Sequence, residues 1–228
     1  MSGILNRREF VLGGAAAAGL VTPRKGFGKA PAVIGQSVAP VVISDRSGVT
    51  YTNGGSHTCI ERAFELITNG EDVLDAILSG INIVEDDPEE AGVGYGGTPN
   101  ADGVVQLDSC CMHGPRKQAG GVGAIEGVRN PSLVAKAVMD HTDHHLLVGQ
   151  GAQEFARNMG FLIEDDLNTP RTRERWLEWK RRIDPNHYLD PTQRSRLGYE
   201  AALEMLAEGL ANESHFWGTV NCDAIGPN

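Results

Sequence analysis

Two helical hydrophobic patterns follow each other directly, and they restrict the chain to folds in which paired helices cover a sheet. In residues 57–69, apolar side chains recur every three or four positions, and Asn69-Gly70 ends the pattern. Asp72, a residue suited to cap a helix, opens the second pattern, which continues to Glu85. Helices joined by so short a turn pack side by side, and their apolar faces need a sheet to cover.

Strand patterns on either side supply such a sheet. Residues 38–44 are apolar and β-branched, as buried strands are, and residues 45–56 are rich in turn formers. Residues 104–112 alternate between apolar and polar, and residues 121–128 are the expected antiparallel partner across a turn at His113-Gly114-Pro115. Further along, the patterns predict a helix that Asn130-Pro131 caps and begins, a strand at 146–148, helices at 150–159 and 171–182, an exposed loop at 184–196 and a helix at 197–210. The expected fold class is α+β.

The charge balance argues against a nucleic-acid partner. The chain has 20 basic and 30 acidic residues, a net charge of −10, and no basic patch interleaved with aromatic residues. The basic helix at 171–182 contains Trp176 and Trp179, but acidic residues are interspersed, so we expect a solvated helix that docks its indoles. The glycine-rich stretch at 92–103 lacks the Gly-Lys-Ser/Thr ending of a phosphate-binding loop, and we expect it to form tight turns.

The amino terminus has the layout of a twin-arginine export signal. Arg7 and Arg8 precede a mildly apolar, Ala/Gly-rich stretch, and Ala30-Pro31-Ala32 offers a cleavage site between small residues. Residues 1–32 are therefore expected to be a signal peptide, and the mature protein is expected to be periplasmic or secreted. A disordered basic tail is the alternative. Beyond this segment no apolar run is long enough to form a stable membrane anchor.

The cysteine and histidine residues give weaker indications. Export would permit disulfides, but Cys110 and Cys111 are adjacent, and no paired Cys-x-x-Cys spacing is present. We expect Cys59, Cys110, Cys111 and Cys222 to be small buried residues, with one bridge as the alternative. Residues 140–145 contain three histidines and two aspartates in a spacing that matches no ligand template. A hydrogen-bonded connector is expected there rather than a metal site.

The junction Gly218-Thr219 favours a particular kind of nucleophile. The residues that follow alternate between two faces as in a strand, with Val220, Cys222 and Ala224 on one and Asn221, Asp223 and Ile225 on the other. Cleavage of the Gly218–Thr219 bond would give Thr219 a free α-amine beside its own hydroxyl. An amine with a pKa near neutrality can accept the hydroxyl proton, so one residue can supply both base and nucleophile. An ordinary loop-to-strand junction is the alternative.

Four segments in series carry a resemblance to a known family. They are residues 63–85, with Asn69-Gly70 and Asp75-Ala76-Ile77; residues 93–114, with Leu107-Asp108 and Met112-His113-Gly114; residues 134–161, with His141-Thr142 and Leu146-Leu147-Val148-Gly149; and Gly218-Thr219-Val220-Asn221-Cys222. In this order they resemble the glycosylasparaginase (aspartylglucosaminidase) family of N-terminal-nucleophile hydrolases. The resemblance runs from Val41 to the end of the chain and is thinnest over residues 168–214.

The resemblance implies a four-layer αββα sandwich made as an inactive precursor. Self-cleavage at Gly218–Thr219 would divide an α chain, residues 33–218, from a β chain that begins with residues 219–228. Thr219 would then attack the side-chain amide of N4-(β-N-acetylglucosaminyl)-L-asparagine, giving aspartate and glucosaminylamine. The resemblance implies an αβ heterodimer, which can pair into a dimer of αβ units, and it implies neither cofactor nor metal. An L-asparaginase or isoaspartyl peptidase with the same nucleophile, or a non-catalytic fragment, are the alternatives.

Several features depart from the family pattern. Gly218 stands where many members have aspartate, Gly92 where relatives have a supporting serine, and Ser44-Asp45-Arg46 lacks the usual tryptophan. These departures leave the amide substrate open. The substrate-binding residues of relatives would lie beyond Asn228, so the 228-residue chain is expected to lack most of the β-chain half and to be inactive alone.

Overall fold

Two sheets and seven helices make up the part of the chain that the computed structural model describes, residues 38–183, 194–211 and 218–227. The strands are β1 (Val41–Ser44), β2 (Gln106–His113), β3 (Gln118–Glu126), β4 (Leu147–Val148) and β5 (Cys222–Ile225). The helices are α1 (Arg46–Thr50), α2 (Cys59–Thr68), α3 (Val73–Glu85), α4 (Pro131–His141), α5 (Gly149–Asn158), α6 (Pro170–Ile183) and α7 (Arg194–Ala207). The expectation of mixed helices and strands is confirmed.

Arg7, Arg8 and the rest of the expected signal peptide lie outside the described residues. Among the described helices none is long and apolar enough to cross a bilayer.

The helix pair α2–α3 forms where its periodicity predicts, because both helices have strong amino-terminal caps. Thr58 accepts a hydrogen bond from the amide of Glu61, whose carboxylate accepts from the Thr58 amide at 2.8 Å. Asp72 caps α3 by accepting from the amides of Leu74 and Asp75 at 2.9 and 3.2 Å. Gly70 turns the chain between the two helices with a φ of +90°.

The first sheet joins strands from opposite ends of the described chain. Strand β5 pairs antiparallel with β1, so that Ser44 lies opposite Cys222 and Val41 opposite Ile225. Helix α2 packs against β1, and α3 packs against β5. The residues that precede β5 are thereby placed beside the carboxyl end of β1.

The second sheet contains the larger apolar core. Strands β2 and β3 form the expected antiparallel pair, and β4 adds to β3 in parallel. Helices α4 and α5 pack on this sheet, and Gly120 lets α4 approach closely because a Cβ there would lie 2.2 Å from the carbonyl oxygen of Ala135. Fully buried side chains of this core include Val122, Ile125, Val134, Val138 and Leu167.

Helices α6 and α7 form a charged pair whose tryptophans dock as predicted. The Trp176 indole donates to the carbonyl of Ala101 in the glycine-rich stretch at 3.3 Å, and Trp179 donates to the carbonyl of Gly198 in α7 at 3.2 Å. The expectation of an exposed loop through residue 196 is wrong for its last residues, because α7 already begins at Arg194. An ion pair between Arg196 and Glu200, one turn apart, favours this earlier start. Residues 184–193 lie outside the described residues.

One further local expectation is wrong, and a second is confirmed only in part, since α4 begins at Pro131 after Asn130 as predicted. Residues 45–56 contain the helix α1 rather than turns alone, since the Asp45 side chain accepts from the amide of Gly48 and caps it. Asn130 makes no side-chain cap for α4. Instead the carboxylate of Glu85, at the end of α3, accepts from the amide of Ser132 at 3.1 Å and from its hydroxyl at 2.8 Å.

Candidate active site

Thr219 lies in extended chain just before β5, in the wall of a large cavity. Gly218 and Thr219 are exposed, and the strand that follows alternates as expected, with Cys222 buried and Asp223 exposed. The cavity has a volume of about 1260 Å³, and its lining includes residues 218–226, side chains of α3, and parts of both β2 and β3. A hydroxyl at position 219 is therefore open to a small molecule that enters this space.

Gly218 and Gly92 pack backbone against backbone. A Cβ placed on Gly92 would lie 2.0 Å from the Cα of Gly218 and 2.7 Å from its carbonyl carbon. No side chain fits at position 92 while Gly218 holds this place, since real Cβ atoms do not approach other atoms so closely. The peptide bond that leads into Thr219 is thus fixed by a contact that only two glycines can make.

The buried carboxylate of Glu90 is hydrogen-bonded to the backbone at Gly92. Its side chain is 0% exposed and accepts hydrogen bonds from the Gly92 amide at 2.8 Å, from the Ser47 hydroxyl at 3.1 Å and from Tyr51. Burial raises the pKa of Glu90, although these hydrogen bonds oppose the shift. A Cβ on Gly92 would meet Oε1 of Glu90 at 2.8 Å as well as the backbone of Gly218, so Gly92 is enclosed between the buried carboxylate and residue 218.

Ser44 and Asp45 fix the chain on the other side of Thr219. The Ser44 hydroxyl and the Asp45 amide both donate to the carbonyl of Asn221, the amide at 3.3 Å. The Asn221 amide in turn donates to Oδ1 of Asp45 at 3.3 Å. Thr219 is therefore held between two anchored points, Gly218 against Gly92 and Asn221 against the end of β1.

Comparison with known sequences identifies the family to which these residues belong. The sequence profile of the asparaginase family (Asparaginase_2) matches residues 31–225, most of the chain. The chain belongs to the asparaginase family. The match includes Gly218, Thr219, and the helix pair and glycine-rich stretch that surround them.

Curated asparaginase-family relatives carry the names of different enzymes. The N(4)-(Beta-N-acetylglucosaminyl)-L-asparaginase of Elizabethkingia miricola is 40% identical over 177 residues, which cover 76% of this chain and 49% of the relative. The enzyme of the same name from Mus musculus is 34% identical over 159 residues, 69% of this chain and 43% of the relative. The plant-type L-asparaginase of Pyrococcus abyssi is 44% identical over 110 residues, 48% of this chain and 35% of the relative.

These matches confirm the resemblance to the glycosylasparaginase family of N-terminal-nucleophile hydrolases. Each of the three covers less than half the length of the relative, so the chain spans about half of such a protein or less.

Two departures from the asparaginase-family pattern are physically linked in the structure. Glycine at position 92 removes the side chain that would collide with the backbone of residue 218. Gly218 stands where the resemblance implies an aspartate, and the carboxylate of Glu90 lies on the other side of Gly92. Near β1, where the resemblance implies a tryptophan, the chain has Ser44 and Asp45, and both side chains are hydrogen-bonded to the backbone of Asn221, which follows Thr219.

Sequence reasoning missed Glu90, Asp45 and Ser44 as parts of this site. Asp45 could have been found from its position, because an aspartate between a strand and a Ser-Gly pair is a common helix cap. Glu90 gives no such signal, since it lies in a run of acidic residues in which solvent exposure is the ordinary expectation.

One of the four cysteines differs from expectation, whereas residues 140–145 form the hydrogen-bonded connector that was expected. Cys59, Cys111 and Cys222 are buried thiols as predicted, but Cys110 is exposed because it alternates with Cys111 across β2. Asp140 lies beside Lys136 and Arg116 in ion pairs of 2.8 Å each. Over the described part of the chain, no three His, Cys, Asp or Glu side chains are grouped as a metal site would require.

Proposed function

We propose that the protein is an autoprocessed amidohydrolase in which Thr219 is the N-terminal nucleophile. The observation that carries the proposal is the place of Thr219. It is exposed on the cavity wall, fixed on both sides, and preceded by a glycine pressed against Gly92. Membership of the asparaginase family supports the same assignment.

The first step is cleavage of the chain by its own threonine. The Oγ of Thr219 attacks the carbonyl carbon of Gly218, the peptide nitrogen leaves that carbon and takes a proton, and an ester links the two halves. Water then hydrolyses the ester, which releases the carboxylate of Gly218 and the α-amine of Thr219. The contact with Gly92 supports this step, because it fixes the carbonyl carbon that the hydroxyl must reach.

The second step is hydrolysis of a substrate amide at the same hydroxyl. The free amine of Thr219 accepts the hydroxyl proton, Oγ attacks the side-chain amide carbon, and the amine product leaves with a proton. Water hydrolyses the resulting ester and restores the hydroxyl. Because the amine must be neutral to act as a base, activity is expected to rise with pH through the usual range of an α-amine, about 7.7–8.0.

For the substrate we propose N4-(β-N-acetylglucosaminyl)-L-asparagine, which would be cleaved to aspartate and glucosaminylamine. The names and the extent of the match to the Elizabethkingia miricola and Mus musculus relatives support this choice. Free L-asparagine or a β-aspartyl dipeptide is the second candidate. The higher identity to a plant-type L-asparaginase, over a shorter segment, favours it.

The proposal extends to assembly and location. We propose an αβ heterodimer with an αββα layering, supported by the two sheets and by the packing of α2 and α3 on one sheet and of α4 and α5 on the other. Export through the twin-arginine route to the periplasm or beyond rests on Arg7 and Arg8 in the sequence.

Cleavage is tested on the gene product isolated from its own host. Mass spectrometry and amino-terminal sequencing should find a chain that begins at Thr219. Thr219→Ala should remain uncut, while Thr219→Ser, which keeps a hydroxyl, should still be cut. Isolation of an intact wild-type polypeptide, or cleavage of the alanine variant, would overturn the assignment of Thr219.

The substrate is tested on the same preparation with three amides side by side. Release of aspartate from N-acetylglucosaminyl-asparagine, from free asparagine and from a β-aspartyl dipeptide should be compared by kcat/KM. The glycosylated substrate should be preferred, whereas a preference for either of the others would favour the second candidate. Aspartate release by the Thr219→Ala protein would exclude both.

A further inference from the structure

Two buried thiols from distant parts of the sequence meet beside the first sheet. Cys59 is the first residue of α2 and is 0% exposed, and Cys222 is the first residue of β5 and is 8% exposed. With Val84 they form one buried apolar cluster, in which Cys59 of α2 and Cys222 of β5 are neighbours. The two thiols therefore belong to the same small buried cluster.

The surrounding backbone keeps the two thiols in this arrangement. Cys222 lies opposite Ser44 in the β1–β5 ladder, and Ser44 and Cys59 both lie close to Gly48, since a Cβ there would meet the Ser44 hydroxyl and, at 3.4 Å, the Cβ of Cys59. On the other side, Gly80 of α3 lets the start of α2 approach, since a Cβ there would lie 2.4 Å from the carbonyl oxygen of Cys59 and 3.0 Å from its sulfur. Helix packing and strand pairing thus both direct the Cys59 sulfur towards Cys222.

The other two cysteines have no comparable partner. Cys110 and Cys111 are neighbours on β2, and one is exposed while the other is buried, so their side chains lie on opposite faces of the strand. Adjacent residues in an extended strand cannot bring their sulfur atoms together without distorting the backbone. Of the four cysteines in the chain, only Cys59 and Cys222 are arranged to pair.

We propose that Cys59 and Cys222 are a site of disulfide formation, and that a disulfide-bearing oxidant such as oxidised glutathione closes the bond. The Cys222 thiolate attacks one sulfur of the oxidant, forms a mixed disulfide and releases the first reduced thiol. The Cys59 thiolate then attacks the Cys222 sulfur and releases the second. The two cysteines together lose two protons and two electrons, and the oxidant gains them as two thiols.

Cys222 is the residue that begins the exchange. It lines the large cavity, whereas Cys59 is fully enclosed, so a small oxidant reaches Cys222 first. Each thiol changes the pKa of the other: the neighbouring Cys59 lowers the pKa of the Cys222 thiol, and the neighbouring Cys222 together with burial raises the pKa of the Cys59 thiol. Cys222 is therefore the more readily ionised thiol of the pair as well as the more accessible one.

The position of the bond in the chain gives it a consequence for the processed enzyme. Cys59 precedes the Gly218–Thr219 bond and Cys222 follows it, so the bridge would join covalently the two chains that cleavage produces. After cleavage, the new amino terminus at Thr219 would lie only three residues from the bridged Cys222. This consequence depends on the proposed cleavage, whereas the bridge itself does not.

A peptide map of the 228-residue chain tests the bond. The folded chain is incubated with oxidised glutathione, quenched in acid, alkylated with N-ethylmaleimide in denaturant and digested with trypsin. Trypsin separates residues 47–62, which contain Cys59, from residues 63–116, which contain Cys110 and Cys111, and from the carboxyl-terminal peptide. Peptide 47–62 should be found linked to the peptide that contains Cys222, with N-ethylmaleimide only on Cys110 and Cys111. Dithiothreitol should abolish the link.

The same map separates failure of the bridge from failure of cleavage. In an uncut chain the peptide linked to residues 47–62 is 197–228, and after cleavage it is 219–228. The mass of the linked pair therefore shows both whether the bridge has formed and whether the chain has been cut. The double variant C110A/C111A should still form the disulfide between Cys59 and Cys222. Oxidation of the wild type in 8 M urea should give a mixture of cysteine pairings, because the fold no longer brings Cys59 and Cys222 together. A persistent glutathione adduct on Cys222, or alkylation of both Cys59 and Cys222 in the oxidised folded chain, would overturn the proposal.

Discussion

Burial of the Glu85 carboxylate predicts a stability that depends on pH. Glu85 is 2% exposed, and its carboxylate accepts hydrogen bonds from Ser132 and from the side-chain amide of Asn82 at 2.7 Å. Burial raises its pKa from 4.5 to about 7, despite the hydrogen bonds that oppose the shift. A group with a raised pKa in the folded state stabilises the fold at low pH, and that contribution is lost as the pH rises towards 7 and above.

The size of the effect follows from the two pKa values. With 4.5 in the unfolded chain and about 7 in the folded chain, the contribution of Glu85 to the free energy of unfolding falls by about 2.5 kcal/mol between pH 5 and pH 8. Glu85→Gln removes this titration and keeps an oxygen that can accept a hydrogen bond from Ser132. The difference in unfolding free energy between wild type and the glutamine variant should therefore change by about 2.5 kcal/mol over this range.

Urea unfolding at pH 5, 6, 7 and 8 measures this difference, because titrations common to both proteins cancel. Glu71→Gln is a matched control, since Glu71 is an exposed glutamate in the turn before α3, and its curve should run parallel to that of the wild type. Parallel curves for Glu85→Gln and wild type would refute the reasoning. They would mean that Glu85 ionises in the folded state as readily as in the unfolded chain.

Three further substitutions test other contacts. Gly92→Ala places a Cβ 2.0 Å from the Cα of Gly218 and should slow cleavage by about a hundredfold in host-expressed protein followed by mass spectrometry, whereas Gly114→Ala, which meets nothing within 4 Å, should not. Asp72→Ala removes the cap of α3 and should lower the free energy of unfolding by about 1–2 kcal/mol in urea titrations, an effect that Glu71→Ala should not show. Ile125→Ala, at a fully buried core position, should cost about 3 kcal/mol in the same measurement, and a loss below 1 kcal/mol would contradict its place in the core.

Local signals in the sequence predicted much of the fold. The helix pair α2–α3 was predictable because periodicity, the Asp72 cap and Gly70 all agree, and the hairpin of β2 and β3 because alternation and turn residues agree. Where a distant residue intervenes, local signals fail. Asn130 has the chemistry of a helix cap, yet Glu85 from another helix takes that role.

In the candidate site, too, residues with a local sequence signal were predicted, and residues whose role depends on distant contacts were not. Thr219 and Gly218 were predicted from their own chemistry, Gly92 was noted as a departure from the family pattern, and the structure brings these three residues together. Glu90 was not recognisable, because its hydrogen bonds to Gly92 and Ser47 exist only once the chain has folded. Nor could the sequence pair Cys59 with Cys222, since their meeting depends on the register of β1 with β5.

The pairing of β1 with β5 also determines when, during synthesis and folding, Thr219 can reach its position in the structure. Among the described strands β1 has no other partner, so the first sheet cannot form until residue 225 has been synthesised and has left the ribosome. Contacts between such distant segments form late, because closing a long loop is entropically costly. A nascent polypeptide that still ends upstream of β5 therefore lacks the pairing that anchors Asn221, so the proposed cleavage would have to wait until β5 has been made.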